Sequence, residues 1–89
     1  MMAIILWTGY QEAHISDRHQ VSAEEFEEAW HDRAEADVGH DPDYGEYYEG
    51  FGFTNAGRCL YLVRRWQDQD EESGIVWPIT AYEPEEAEG

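Results

Sequence analysis

The ten residues Gly57 to Trp66, G-R-C-L-Y-L-V-R-R-W, constrain the fold more than any other stretch. With a period of two, Cys59, Tyr61 and Val63 point one way, and Leu60, Leu62 and Trp66 the other. A strand that is apolar on both faces belongs in the middle of a sheet, covered above and below. The same segment carries Arg58, Arg64 and Arg65, three of the chain's five basic residues. Arg64 and Arg65 are neighbours, so they leave the strand on opposite faces and at most one enters a given pocket. The other is expected to pair with the acidic loop Asp68–Glu72, a surface ion pair of little energetic weight.

Charge excludes more than it assigns. The 89 residues hold 21 acids, five arginines and no lysine, for a formal net charge of −16. Affinity for a phosphate backbone comes from Lys and Arg displacing counterions, so RNA or DNA is disfavoured as a partner. Two readings fit the acidity: solubility at high salt, or a surface that meets a basic partner. The length supports one small domain. Four Trp, six Tyr and three Phe argue against a disordered chain. Cys59 is the sole cysteine and lies within the central strand, so it is expected as a small core residue of a protein in a reducing cytoplasm. The apolar run Ala3 to Trp7 is too short for a signal h-region or a membrane span, and no basic segment precedes it.

Taken in order, Ala3 to Trp7 predicts a buried strand. Tyr10 to His19 predicts a short helix with Thr8 as its cap, Ala13 and Ile15 forming a thin apolar face. Ser22-Ala23-Glu24-Glu25 is a capping box, with Ser22 as N-cap and Glu25 reaching back to it. In the helix it opens, Phe26, Ala29 and Trp30 form the inward stripe and Glu24, Glu27 and Glu28 face water. Ala34 to Tyr44 is polar and predicts a loop, with a short strand around Ala36–Val38. From Gly45 the chain alternates: Tyr47, Glu49, Phe51 and Phe53 on one face, Tyr48, Gly50 and Gly52 on the other, a glycine side that a helix or ligand can approach closely. Asn55-Ala56-Gly57 predicts a hairpin turn into the central strand. After the acidic loop, Ile75 to Tyr82 predicts a last strand with Ile75, Trp77, Ile79 and Ala81 inward and an edge or bulge at Pro78. The expectation is a single α+β domain over residues 1–84, with two short helices packed on an antiparallel sheet in the order strand-helix-helix-strand-strand-strand. Residues 85–89 are expected as an acidic flexible tail.

Several segments carry a resemblance. H-I-S-D-R-H-Q-V-S-A-E-E-F-E-E-A-W (His14 to Trp30), D-Y-G-E (Asp43 to Glu46), G-F-T-N-A-G-R-C-L-Y-L-V (Gly52 to Val63) and I-T-A-Y (Ile79 to Tyr82) follow one another as the motifs of BrnT-type toxins do. The chain resembles that family from about Ala3 to Glu86. The resemblance implies a RelE-like fold, an mRNA endoribonuclease of the cytoplasm and neutralisation by a small antitoxin. The family has basic residues where this chain has Tyr48 and Tyr82, and Gly where it has Gln20. The resemblance thus implies a toxin scaffold whose ribonuclease activity is lost or altered, while protein binding is kept.

Few residues are left for acid–base and phosphate chemistry: His19, Arg58 and Arg64 as catalytic candidates, with His14, Arg65, Tyr48 and Tyr82 around them. The plainer alternative is that His19 packs the end of the first helix and His14 and Arg18 are solvated. Tyr44, Tyr47, Tyr48 and Tyr82 could form a stacking or protein-binding surface, or pack across the strands. No C-x-x-C or H-x-x-x-H spacing supports a metal, and Gly45 stands where a calcium loop starting at Asp41 needs a ligand, so no metal or cofactor is expected. The second reading, from a different class, is a non-enzymatic acidic protein-binding module or nucleic-acid mimic on the same scaffold.

Overall fold

The structure is a computed structural model that describes residues 4–43 and 45–84. Its elements run β1 (Ile4–Ile5), α1 (Gly9–His19), α2 (Ala23–Asp32), β2 (Ala34–Asp41), β3 (Gly45–Phe53), β4 (Cys59–Trp66), two single 3-10 turns and β5 (Ile75–Tyr82). The five strands form one sheet in the order β1-β5-β4-β3-β2. This is the expected α+β class, with one strand more than predicted. The sheet is mixed because β1 lies parallel to β5, while every other pairing is antiparallel. The proposed tail, Glu85 to Gly89, lies outside the described residues, as do Ala3 and Tyr44. No helix among the described residues is long and apolar enough to cross a membrane.

Both helices start where the sequence places a cap. The Thr8 hydroxyl accepts from the Gln11 N–H, and the Ser22–Glu25 capping box is formed reciprocally. α1 ends at Gln20, whose N–H bonds the Ser16 carbonyl and whose left-handed backbone lets the next N–H, of Val21, reach that of Ile15. Only Ile15 of α1 is buried; Ala13 is exposed, so the helix places one apolar residue in the core instead of two. α2 buries Phe26, Ala29 and Trp30, as its spacing predicts. Glu28, expected in water, is half-buried and accepts the Asn55 N–H at 2.9 Å. Asp32 does the same for Phe53, so two acids of α2 anchor the helix on the β3–β4 hairpin.

The core joins these helix residues to Leu60, Leu62 and Trp66 of β4 and to Val76 and Ala81 of β5. The glycine side of β3 faces them. A Cβ on Gly52 would collide with the carbonyl of Ala29, so α2 lies directly on the strand there. In β5 the inward residues are Val76, Pro78 and Ala81, not Ile75, Trp77 and Ile79. The register explains the difference. Arg64 pairs with Pro78 and Val63 with Thr80, leaving Ile79 as an extra residue that shifts the alternation. The bulge was expected at Pro78. Pairing with β1 has stopped by then, at Val76, so the missing proline N–H breaks no bond to that neighbour.

Three further expectations are corrected. The short strand expected around Ala36–Val38 extends over eight residues, Ala34 to Asp41, where a loop was expected on either side, because the chain pairs with β3 along most of that length around a bulge between Glu35 and Asp37. β1 is an edge strand with Ile4 61% exposed, not a buried one. Among the described residues, helices cover one face of β4. On its other face, Cys59, Tyr61 and Arg65 are half-buried and Val63 is shielded by its neighbours within the sheet. Cys59 is therefore a residue of that outer face and not of the core.

Candidate functional site: a buried arginine and an open aromatic face

The three catalytic candidates do not form one constellation. Arg58 precedes β4 and Arg64 lies six residues along it, which places them roughly 20 Å apart. Arg58 is taken up by structure. Its Nε donates to Glu83 at 2.6 Å, Nη1 to Glu25 and to the Gln20 carbonyl, and Nη2 to the carbonyl of His19. Burial lowers the Arg58 pKa, but the bonds and charges of Glu83 and Glu25 outweigh it, and the net shift is upward. The side chain closes the C-terminus of α1 against the start of α2 and the end of β5.

His19 sits above this clamp. Its ring is 6.4 Å from His14 and 5.8 Å from Tyr82. Tyr82 stacks on Tyr61 at 5.6 Å, and His14 on Tyr10 at 6.2 Å. A row of rings thus runs from α1 onto the outer face of the sheet. Beside Tyr61 across the strands is Phe51, and beside Cys59 is Phe53. These two phenylalanines are 41% and 51% exposed, large apolar side chains that no helix covers among the described residues. Glu49 lies on the same face and accepts from the Tyr61 hydroxyl at 3.3 Å. Burial first, and the Glu49 charge second, push both the Tyr61 and the Tyr82 phenols up. Arg65 lies on this face too, 5.4 Å from the Trp77 ring.

Arg64 is on the opposite, helix-facing side and is 1% exposed. Among the described residues no ion pair joins Arg64 or Arg65 to the loop Asp68–Glu72, where a partner for one of them was expected. Arg64 Nη2 donates to Glu35, and Arg33 Nε donates to the other oxygen of the same carboxylate at 2.8 Å. Both guanidinium groups lie near the Trp30 ring, with the Arg33 carbon 3.6 Å and the Arg64 carbon 5.0 Å from its centroid. Burial raises the Glu35 pKa, but the two arginines outweigh it and hold the carboxyl below its usual value. Burial also pulls the Arg64 pKa down, against the pull of Glu35. Arg64 Nε and Nη1 are buried without a hydrogen-bond acceptor. The side chain adjoins a cleft of about 250 Å3, walled by Val38, Tyr48 and Trp66.

Tyr48 and Tyr82, the positions where the resembled family has basic residues, lie on opposite faces of the sheet. Tyr48 shares the cleft with Arg64; Tyr82 belongs to the aromatic row with His19. Tyr47 and Tyr48 likewise part company, so the tyrosines expected to act together are divided between two surfaces. Glu35, Val38 and Trp30 were not anticipated around Arg64. The sequence signals only a short strand around Ala36–Val38 where the full strand brings Glu35 and Val38 there, and the spacing of Trp30 marks it as core alone. Among the described residues no group of three or more His, Cys, Asp or Glu is placed to hold a metal ion. No protein-family model, curated protein or solved structure matches the chain.

Proposed function

We propose that the protein is a non-enzymatic, acidic protein-binding module whose outer sheet face receives a basic partner. The observation that carries this reading is the uncovered strand face on which exposed Phe51 and Phe53 stand beside Tyr61, Tyr82 and Glu49. Aromatic rings next to carboxylates suit the stems and cationic heads of Arg and Lys side chains. A chain with a net charge of −16 draws such a partner by long-range attraction. A small antitoxin with a basic surface, as the BrnT resemblance implies, is one partner of this chemistry.

The ribonuclease reading keeps one observation in its favour: Arg64 has two nitrogens without acceptors and shares a cleft with Tyr48. Against it, Arg58 is occupied by Glu25 and Glu83 and lies far from Arg64. The reading as a binding module is tested by affinity capture with the Phe51→Ser/Phe53→Ser variant beside the parent. The parent should retain a basic protein at low salt and release it at high salt, and the doubly substituted protein should not retain it. Equal retention by both, or none by the parent at low salt, would sink the assignment of this face.

A further inference from the structure

The edge of the sheet at β2 has the features of a docking place for an extended chain. Among the described residues no strand pairs with its outer side. The Val38 N–H is taken by the neighbouring Asp37 carboxylate at 2.8 Å, so it points away from β3. In an antiparallel ladder the outward groups recur every second residue, which places the His40 N–H on the same free side. The bulge between Glu35 and Asp37 ends the regular stretch on one side and leaves Asp37–Asp41 in unbroken register with β3. This protein guards the edge with carboxylates, which discourages pairing between copies of the same acidic chain.

The cleft beside Arg64 opens next to this edge. Val38, 54% exposed, is both an edge residue and a wall of the cleft, with Tyr48 and Trp66 behind it. Two carboxylates line it, Glu35 and Glu71, against the guanidinium of Arg64, while Asp37, opposite Glu49, keeps its carboxylate at the strand edge towards the other face. Glu35 is already bonded to Arg64 and Arg33, which leaves Glu71 as the carboxylate of the cleft without a cationic partner among the described residues. The lining is thus net negative, two against one, with two aromatic walls. That is the setting for a cation whose stem packs on rings and whose head meets carboxylates.

We infer that β2 accepts an extended segment of a basic partner as a sixth strand, with one of its Arg or Lys side chains seated in the cleft between Tyr48, Trp66 and Glu71. The added strand bonds to the outward groups of Val38 and His40, and its main-chain carbonyl displaces the Asp37 carboxylate, which turns to the incoming charge. The inference rests on the reading of the protein as a binding module and names a second surface for the same partner class.

The test is a titration of isotopically labelled full-length protein with a nine-residue peptide of alternating arginine and threonine, followed by backbone and indole NMR shifts. Saturable shifts centred on the Val38 and His40 amides and the Trp66 indole are expected. Replacing arginine by glutamate in the peptide should weaken binding by at least about tenfold. The Val38→Pro variant removes the outward N–H without touching a bond to β3, so it should keep the dispersed spectrum of the folded protein and lose the shifts. If that variant unfolds, the same peptide methylated on its backbone nitrogens makes the equivalent comparison and should not bind. Shifts centred on Phe51 and Phe53 would overturn the edge site while leaving the binding module in place. No saturable shift with any arginine peptide at low salt would overturn both.

Discussion

Replacing Arg64 by methionine should make the protein more stable, and replacing Arg58 the same way should make it less so. Arg64 is 1% exposed and two of its nitrogens have no acceptor. Each buried donor left unpaired costs about 1–3 kcal/mol. The substitution removes both, together with one ion pair and one ring contact. The ion pair is with Glu35, whose side chain is 55% exposed, so its loss costs about 0.2–1 kcal/mol. The guanidinium over Trp30 adds about 0.5–2 kcal/mol. Glu35 keeps Arg33 as a partner, so no carboxylate is stranded. The balance is a gain of about 1–3 kcal/mol, with the flexible methionine filling the vacated volume. Arg58 makes four side-chain bonds to two carboxylates and two carbonyls, and its loss should cost about 2–4 kcal/mol. Urea unfolding followed by tryptophan fluorescence reads both, as opposite shifts of midpoint at an unchanged slope. In thermal unfolding each kcal/mol moves Tm by about 4–8 °C for a domain of this size. An Arg64→Met protein destabilised by more than about 1 kcal/mol would refute the reasoning, because the guanidinium would then be satisfied. A stabilising change at a buried charge is the signature of a residue kept for a purpose other than folding.

Two other perturbations follow from the packing and the charges. Gly52→Ala should cost about 1–3 kcal/mol, because the new methyl meets the Ala29 backbone, which cannot turn aside as a side chain can. Gly9→Ala, where nothing lies within 4 Å, should be neutral or slightly stabilising, and calorimetry of the pair separates close contact from glycine chemistry in general. Stability should also fall in acid. Burial raises the pKa values of Glu25 and Glu35, but Ser22 and Arg58 for the first and Arg33 and Arg64 for the second bring the net shift below 4.5. A carboxyl held low in the folded state stabilises above its unfolded pKa and loses that contribution as pH falls through the folded value. Urea midpoints should therefore be flat above about pH 5 and decline below about pH 4.5, and the decline should be shallower in Glu25→Gln. An unchanged decline in that variant would remove Glu25 from the account.

What could be read from the chain and what could not divide along physical lines. Capping signals are local, so both helix starts and the stripe of Phe26, Ala29 and Trp30 follow from neighbours in sequence. The glycine side of β3 was legible for the same reason: Gly50 and Gly52 alternate with exposed rings, and only a close neighbour explains them. β2 was legible only around Ala36–Val38, because its residues are exposed almost throughout and carry no alternation of apolar and polar. An edge strand held by one neighbour needs none. The inward set of β5 was missed because the bulge at Ile79 changes the period within eight residues. Arg64 was recognised as a candidate, but its environment depends on β2 and could not be read without it. The outer face was misjudged because β4 is as apolar on that side as a covered strand, a pattern that a second layer and an uncovered binding face share.

The central claim is that the chain acts by contact and not by cutting RNA. Induced expression of the parent and of Arg64→Ala side by side, with growth and transcript integrity followed in both, tests it most directly. The account predicts unimpaired growth and intact transcripts in both cultures. Growth arrest with cleaved transcripts in the parent, abolished by Arg64→Ala, would contradict it.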